Sequence, residues 1–161
     1  MAWVSKFKKL SSAEDNINIT DLTGRKFNEV IFHAIDNGNA IGGQLRFNAN
    51  SNTVYADRQS INGGVDGTEP NRTFIGIANT NTAVTKFFII SVVAISGEEK
   101  LCIIHTMEQN TAGAGNAPNR NETVGKFVPS PDADITQSNL IDDQAGQFDT
   151  NSLGVHINTD N

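Results

Sequence analysis

The sequence predicts an all-β domain, an antiparallel two-sheet β-sandwich of jelly-roll-like type with long loops. Three observations point there. Apolar and polar residues alternate with a period of two along many short segments, the repeat of a strand with one face covered. Clusters of Asn, Asp, Gly and Ser punctuate those segments at the spacing of turns in sandwiches. No segment demands a helix. The chain of 161 residues, 37% hydrophobic and 19% charged, fits a single domain, residues 1–161, with a sizeable core.

The elements follow in order. Trp3, Phe7 and the Lys/Ser alternation around them predict a first strand. Trp3, Val4, Phe7 and Leu10 also fit one helical face, but Ser11-Ser12-Ala13-Glu14-Asp15 looks like a hairpin turn and favours strand. Asn16-Ile17-Asn18-Ile19-Thr20 alternates cleanly. Next, Phe27, Ile31 and Ile35 share one face while Val30, Phe32 and Ala34 share the other, until Asp36-Asn37-Gly38-Asn39 breaks the pattern. Leu45-Arg46-Phe47 alternates again, as do Thr73, Ile75 and Ile77, which end at Asn79-Thr80-Asn81. Residues 84–95 and 101–107 are rich in Phe, Ile and Val, as expected of strands buried on both faces. Ser96-Gly97-Glu98-Glu99 joins them as a hairpin loop. Residues 124–128, 135–141 and 153–157 complete a set of about nine or ten strands. Two stretches, 48–71 and 109–121, read as long loops. Ile31, Phe32, Phe47, Ile75, Phe88, Ile90, Val92, Leu101, Ile103 and Phe127 are the expected core.

Charge and composition narrow the function classes. A net charge of −6 argues against a nucleic-acid partner, and Lys6, Lys8 and Lys9 read as a solvated strand face. No apolar run approaches the roughly 20 residues that span a bilayer, so no membrane partner is expected. The basic start lacks the apolar stretch of a secretory signal, which suggests synthesis in a cytoplasm. Cys102 is the single cysteine; it excludes an internal disulfide and reads as a small buried hydrophobe.

No catalytic constellation emerges. Gly-x-Ser-x-Gly does not occur. Cys102 and His105, three apart on a strand, fall on opposite faces. His33, His105 and His156 lack ligand-like spacing, and His105 reads as partly buried. Asp132 with Asp134, and Asp142 with Asp143, read as exposed turn carboxylates. Glu29, Asp57, Glu98, Glu108 and Glu122 cannot be paired into a glycosidase couple by sequence. Gly113-Ala114-Gly115 lacks the rest of a phosphate loop. The expectation is therefore a structural or binding module, not an enzyme, with no catalytic residue, no metal and no cofactor. What survives is a surface. Tyr55, Arg58 and Arg120 are large side chains in polar, Gly-rich loops, a setting enriched at interfaces. Asn62 and Asn116 share those loops, and Trp3 and Phe7 stand on the N-terminal strand. These seven are the candidate contact residues.

Several stretches carry a family resemblance. They are Arg46-Phe47-Asn48, Tyr55-Ala56-Asp57-Arg58, Asn62-Gly63-Gly64, the run from Asn110 through Gly113-Ala114-Gly115-Asn116 to Arg120, and Val124-Gly125-Lys126-Phe127. In these the chain resembles a family of small structural proteins of marine bacteriophages, across nearly its whole length. The 110–120 loop is the most specific part; Phe127 stands where the family often has Trp. The resemblance implies a β-sandwich virion protein, made in a host cytoplasm and resident in the virion. The leading expectation is a capsid decoration protein that stabilises the shell; the alternative is a tail or fibre module binding a host glycan on Tyr55 or Trp3. The expected partners are viral shell or tail proteins and further copies of the chain. A homotrimer is expected because the 87–95 strand has apolar side chains on both faces.

Overall fold

The computed structural model describes residues 2–77, 82–144 and 146–160. The turn expected at Asn79-Thr80-Asn81 lies outside the described residues. Among the described residues there are twelve strands and no helix. They are β1 (Val4–Lys9), β2 (Asn16–Ile19), β3 (Phe27–Ala34), β4 (Gln44–Phe47), β5 (Tyr55–Ile61) and β6 (Gly67–Arg72). Then come β7 (Ile75–Gly76), β8 (Lys86–Val93), β9 (Lys100–Glu108), β10 (Asn119–Phe127), β11 (Ser138–Ile141) and β12 (Leu153–Thr159). A large antiparallel sheet runs β1-β12-β3-β8-β9-β10-β5-β6, and a small one runs β2-β11-β4-β7. The predicted two-sheet antiparallel architecture is therefore the observed one.

The pairing resembles one long hairpin rolled over on itself. β1 pairs with β12, β2 with β11, β3 with β8 and β4 with β7, alternating between the two sheets. Two segments interrupt this roll. β5 and β6 are inserted between β4 and β7, and β9 and β10 between β8 and β11. Both insertions join the large sheet, β9 on β8, β10 on β9, β5 on β10, and β6 at the edge. That addition makes one sheet twice as wide as the other.

Two expectations about connections need correction. The segment at residues 11–15 is not a hairpin turn, because β1 and β2 belong to different sheets. Leu10 is buried between the sheets, its N–H donating to the Ser152 carbonyl, and Glu14 exchanges backbone hydrogen bonds with Phe148. Those bonds carry the chain across. Nor is 48–71 a loop, since it holds the β5–β6 pair. The inward positions of β5, Tyr55, Asp57 and Gln59, are mostly polar, so the alternation was invisible as hydrophobicity. Asn62 and Gly63 both adopt positive φ, and the Gly64 N–H closes the turn onto the Ile61 carbonyl at 2.8 Å. Asn-Gly is the pair such a turn prefers. Residues 109–118 remain a loop.

The core lies between the sheets. Phe32, Phe47, Ile75, Phe88, Ile90, Val92 and Phe127 are buried as expected. Ile31 is only half-buried, and Leu101 and Ile103 are 56% and 55% exposed. The reason is that none of the described residues covers the second face of β9, whose inward residues are Lys100, Cys102, Ile104, Thr106 and Glu108. β12 is similar: Gly154, His156 and Asn158 face inward. Gly154 is required there by close packing, since a Cβ would come within 2.6 Å of the Phe32 ring. The free edges carry blunting residues, Lys6, Lys8 and Lys9 on β1 and Pro70 on β6.

Candidate functional site

The outward face of the large sheet is the most unusual surface of the molecule. Cross-strand register fixes its composition, because directly paired residues of antiparallel strands share a face. One row runs Thr159, Phe27, Val93, Leu101, Lys126. The next runs Ile157, Glu29, Ser91, Ile103, Val124, Arg58. A third runs Phe7, Val155, Ile31, Ile89, His105, Glu122. A fourth holds Leu153, His33, Phe87, Met107 and Arg120. The first three rows are apolar across β12, β3, β8 and β9, interrupted by Thr159, Glu29, Ser91 and His105. Charged residues gather at the β10 and β5 side.

A groove of about 670 Å³ follows the first two rows, from Trp3 past Phe27, Val93, Leu101 and Ile103 to Val124, Arg58 and Lys126. Its few polar groups already have partners. Ser91 donates to Glu29 at 3.0 Å, Arg58 lies 3.5 Å from Asp66, and Lys126 is 3.0 Å from Glu99. All three contacts are exposed, so they hold side chains loosely and contribute little stability.

The predicted contact residues divide. Trp3, 53% exposed, forms one wall of the groove, and Arg58 stands at the other. Phe7, 78% exposed, lies on the same face, directly beside Val155. Asn62 and Arg120 come together. The Arg120 N–H donates to Asn62 Oδ1, and the Asn62 N–H donates to the Arg120 carbonyl, both at 2.9 Å. Asn62 thus tethers the β5 turn to β10, while the Arg120 guanidinium stays exposed, 3.6 Å from Glu122. Asn116 lies apart in the 109–118 loop, where its Nδ2 donates to the Ala112 carbonyl.

Tyr55 requires a correction, because it is a core residue and no platform for a ligand. Its ring stacks on Phe127 with centroids 4.9 Å apart, and its hydroxyl meets the backbone of Phe47 and Asn50. Burial pushes its pKa up to about 12. The phenol needs hydrogen-bond partners when buried, and Phe47 at the end of β4 and Asn50 just after it supply them.

Sequence reasoning missed the groove itself, since Leu101 and Ile103 were assigned to the core. It also missed His156, the buried histidine, while His105 proves exposed. The His156 Nδ1 accepts from the Ser138 hydroxyl at 2.8 Å, and Nε2 meets Asn28 Oδ1 at 2.9 Å. The Asn28 amide nitrogen donates to the Arg25 carbonyl, so its oxygen faces the ring and the proton is assigned to Nε2. The order Ser–His–Asn is that of a nucleophile, a base and its orienting group. Ser138 and His156 are however fully buried between the sheets, so the hydroxyl meets protein atoms only. Burial pulls the imidazole down to about 4, which keeps it neutral.

Other buried polar groups brace the frame. Asp57 accepts from the Gly76 N–H and from Gln59, and burial raises its pKa despite those bonds. Lys86 and Glu108, a directly paired couple, are both fully buried at 3.4 Å. Burial lowers the Lys86 pKa, and Glu108 opposes that. Lys100 reaches Asp132 at 2.6 Å and the carbonyls of Ile95 and Glu98, tying down the β8–β9 loop. That contact holds Asp132 down at about 2. Asp142, expected at the surface, is buried because it accepts from the N–H groups of Gly42 and Gln144. Cys102 lies inward with its thiol pushed up to about 12 by burial, on the face opposite His105. Among the described residues, no three His, Cys, Asp or Glu side chains converge as a metal ion would need.

No family model, no curated protein and no solved structure matches this chain.

Proposed function

We propose that the chain is a non-catalytic structural module of a virus particle, a decoration protein on the capsid surface, and that it works by laying the outward face of its large sheet on a neighbour. The observation that carries this reading is the set of apolar rows on that face. Monomeric soluble proteins rarely leave a contiguous apolar patch of such breadth open, and large ones mark interaction sites. A tightly packed, hydrogen-bonded interior behind a sticky face suits a module that stabilises an assembly by binding its native form.

The rolled pairing of β1 with β12, β2 with β11, β3 with β8 and β4 with β7 supports a jelly-roll reading of the sandwich. Jelly rolls serve viral capsids as well as lectins. The resemblance read in the sequence to structural proteins of marine phages favours a virion role. Tyr55, one of two platforms considered for a glycan, is buried, which weighs against the fibre alternative.

The test is the position and copy number of this chain in imaged particles. Hundreds of copies over the head support decoration. A few tens confined to the tail overturn it. Ile103→Lys places a charge in the middle of the apolar rows and should abolish attachment to heads while leaving the fold intact.

A further inference from the structure

We infer that the outward face of the large sheet pairs with the same face of a second copy, related by a twofold axis that runs along β9. This rests on the reading of that face as the docking surface, and names its partner.

Area is the first argument. The exposed parts of Phe27, Val93, Leu101, Ile103 and Val124, the apolar side chains that the axis covers, amount to roughly 400 Å², close to the apolar share of what each partner contributes to a standard stable interface. Sheets also stack well face to face about 10 Å apart when their strands stay nearly aligned.

Charge is the second argument. Within the apolar field Glu29 on β3 and Arg58 on β5 stand in the same cross-strand row, and both line the groove. In the order β3-β8-β9-β10-β5 the strand midway between them is β9. A twofold axis along β9 lays β3 of one copy over β5 of the other. Glu29 then faces the partner copy's arginine, and the reciprocal pair forms on the other side. Ile103, at the centre of the row, meets its own counterpart. One surface therefore supplies both halves of a complementary pattern, the requirement for an isologous contact. The trimer expected from the sequence needs two different patches that fit each other, and the structure presents one continuous patch.

Sedimentation velocity across micromolar concentrations tests this. The expected species has twice the 17.3 kDa chain mass. Arg58→Glu or Glu29→Arg alone should weaken the dimer about tenfold, and the two together should restore it, a coupling of about 2.8 kcal/mol. A chain that remains a monomer, or a double variant no better than the singles, overturns the proposal. The Ile103→Lys variant keeps the two readings apart. If the parent is monomeric yet this variant no longer attaches to heads, the docking face stands and the second copy falls. If the variant attaches and associates like the parent, the docking face itself falls.

Discussion

The two faces of the large sheet depart furthest from the usual assignment of residues to inside and outside on β9 and β12. On β12, Gly154, His156 and Asn158 turn toward the small sheet, and Leu153, Val155 and Ile157 turn away from it. On β9, Lys100, Thr106 and Glu108 turn inward, and Leu101, Ile103 and Met107 turn away. The inner face tolerates its polar groups because most find partners: His156 between Ser138 and Asn28, Lys86 beside Glu108, and Thr106 on the Ile77 carbonyl. The outer face has apolar groups and no covering layer. Paired polar groups on the inner face and bare apolar groups on the outer one fit the docking proposed for this sheet. The cost of polar burial is met within the chain, and the apolar groups of the outer face stay exposed to water.

Substitutions can break or sharpen that contrast. The largest effect is expected at Phe88, fully buried on the inner face of β8. Phe88→Ala should lower the unfolding free energy by about 3–5 kcal/mol in a denaturant titration. An unchanged midpoint would remove Phe88 from the core.

A pH effect follows from His156. Its folded pKa, about 4, lies below the ordinary 6.5, so the unfolded chain binds the proton first. Stability contributed by the neutral ring is complete above pH 6.5 and is lost as pH falls toward about 4. The loss amounts to about 3 kcal/mol. Asp57 acts in the opposite sense, because its raised pKa makes the folded state take up a proton earlier. Unfolding curves across that window should therefore show falling stability in the parent and a flatter slope in His156→Gln. Equal slopes would sink the assignment.

A smaller change is expected from Tyr55→Phe, which keeps the stack on Phe127 and removes the hydroxyl from Phe47 and Asn50. The partners left behind are backbone groups, and the cost should be about 1–2 kcal/mol. Thermal melts of the two proteins would show it. The smallest effect belongs to the outer face. Leu101→Thr, measured on the monomer at nanomolar concentration, should change stability by no more than about 0.5 kcal/mol, because the side chain is more exposed than buried. A loss as large as that of Phe88→Ala would mean that this face is covered within one chain.

Much of the fold was legible. β2, β3 and β4 overlap strands read from the alternation of apolar residues, β8 and β9 overlap strands read from their Phe, Ile and Val content, β11 and β12 overlap the strands expected at 135–141 and 153–157, and Ser96-Gly97-Glu98-Glu99 does join β8 to β9. β6 escaped because Gly67-Thr68-Glu69-Pro70 lies on an open edge with every side chain exposed, leaving no hydrophobic period to read. The candidate site was legible only in part. Trp3, Phe7 and Arg58 do stand on or beside the apolar groove, but its floor, Leu101 and Ile103, was assigned to the interior. Apolar residues on both parities of β8 looked like burial on both sides. The same pattern arises when one side awaits another molecule, and a single chain carries no mark that separates the two.

The sequence by itself determined the period, the turns and so the all-β class, since these depend on neighbours two to four residues apart. Tertiary structure decided which side of each strand is inside. That choice depends on where the small sheet lies, and the small sheet covers the face carrying Gly154, His156 and Asn158, where a Cβ on Gly154 would meet Phe32 beside it and Ile19 of β2 above it. Inside and outside are properties of layers brought together from distant parts of the chain, which no local pattern of residues encodes.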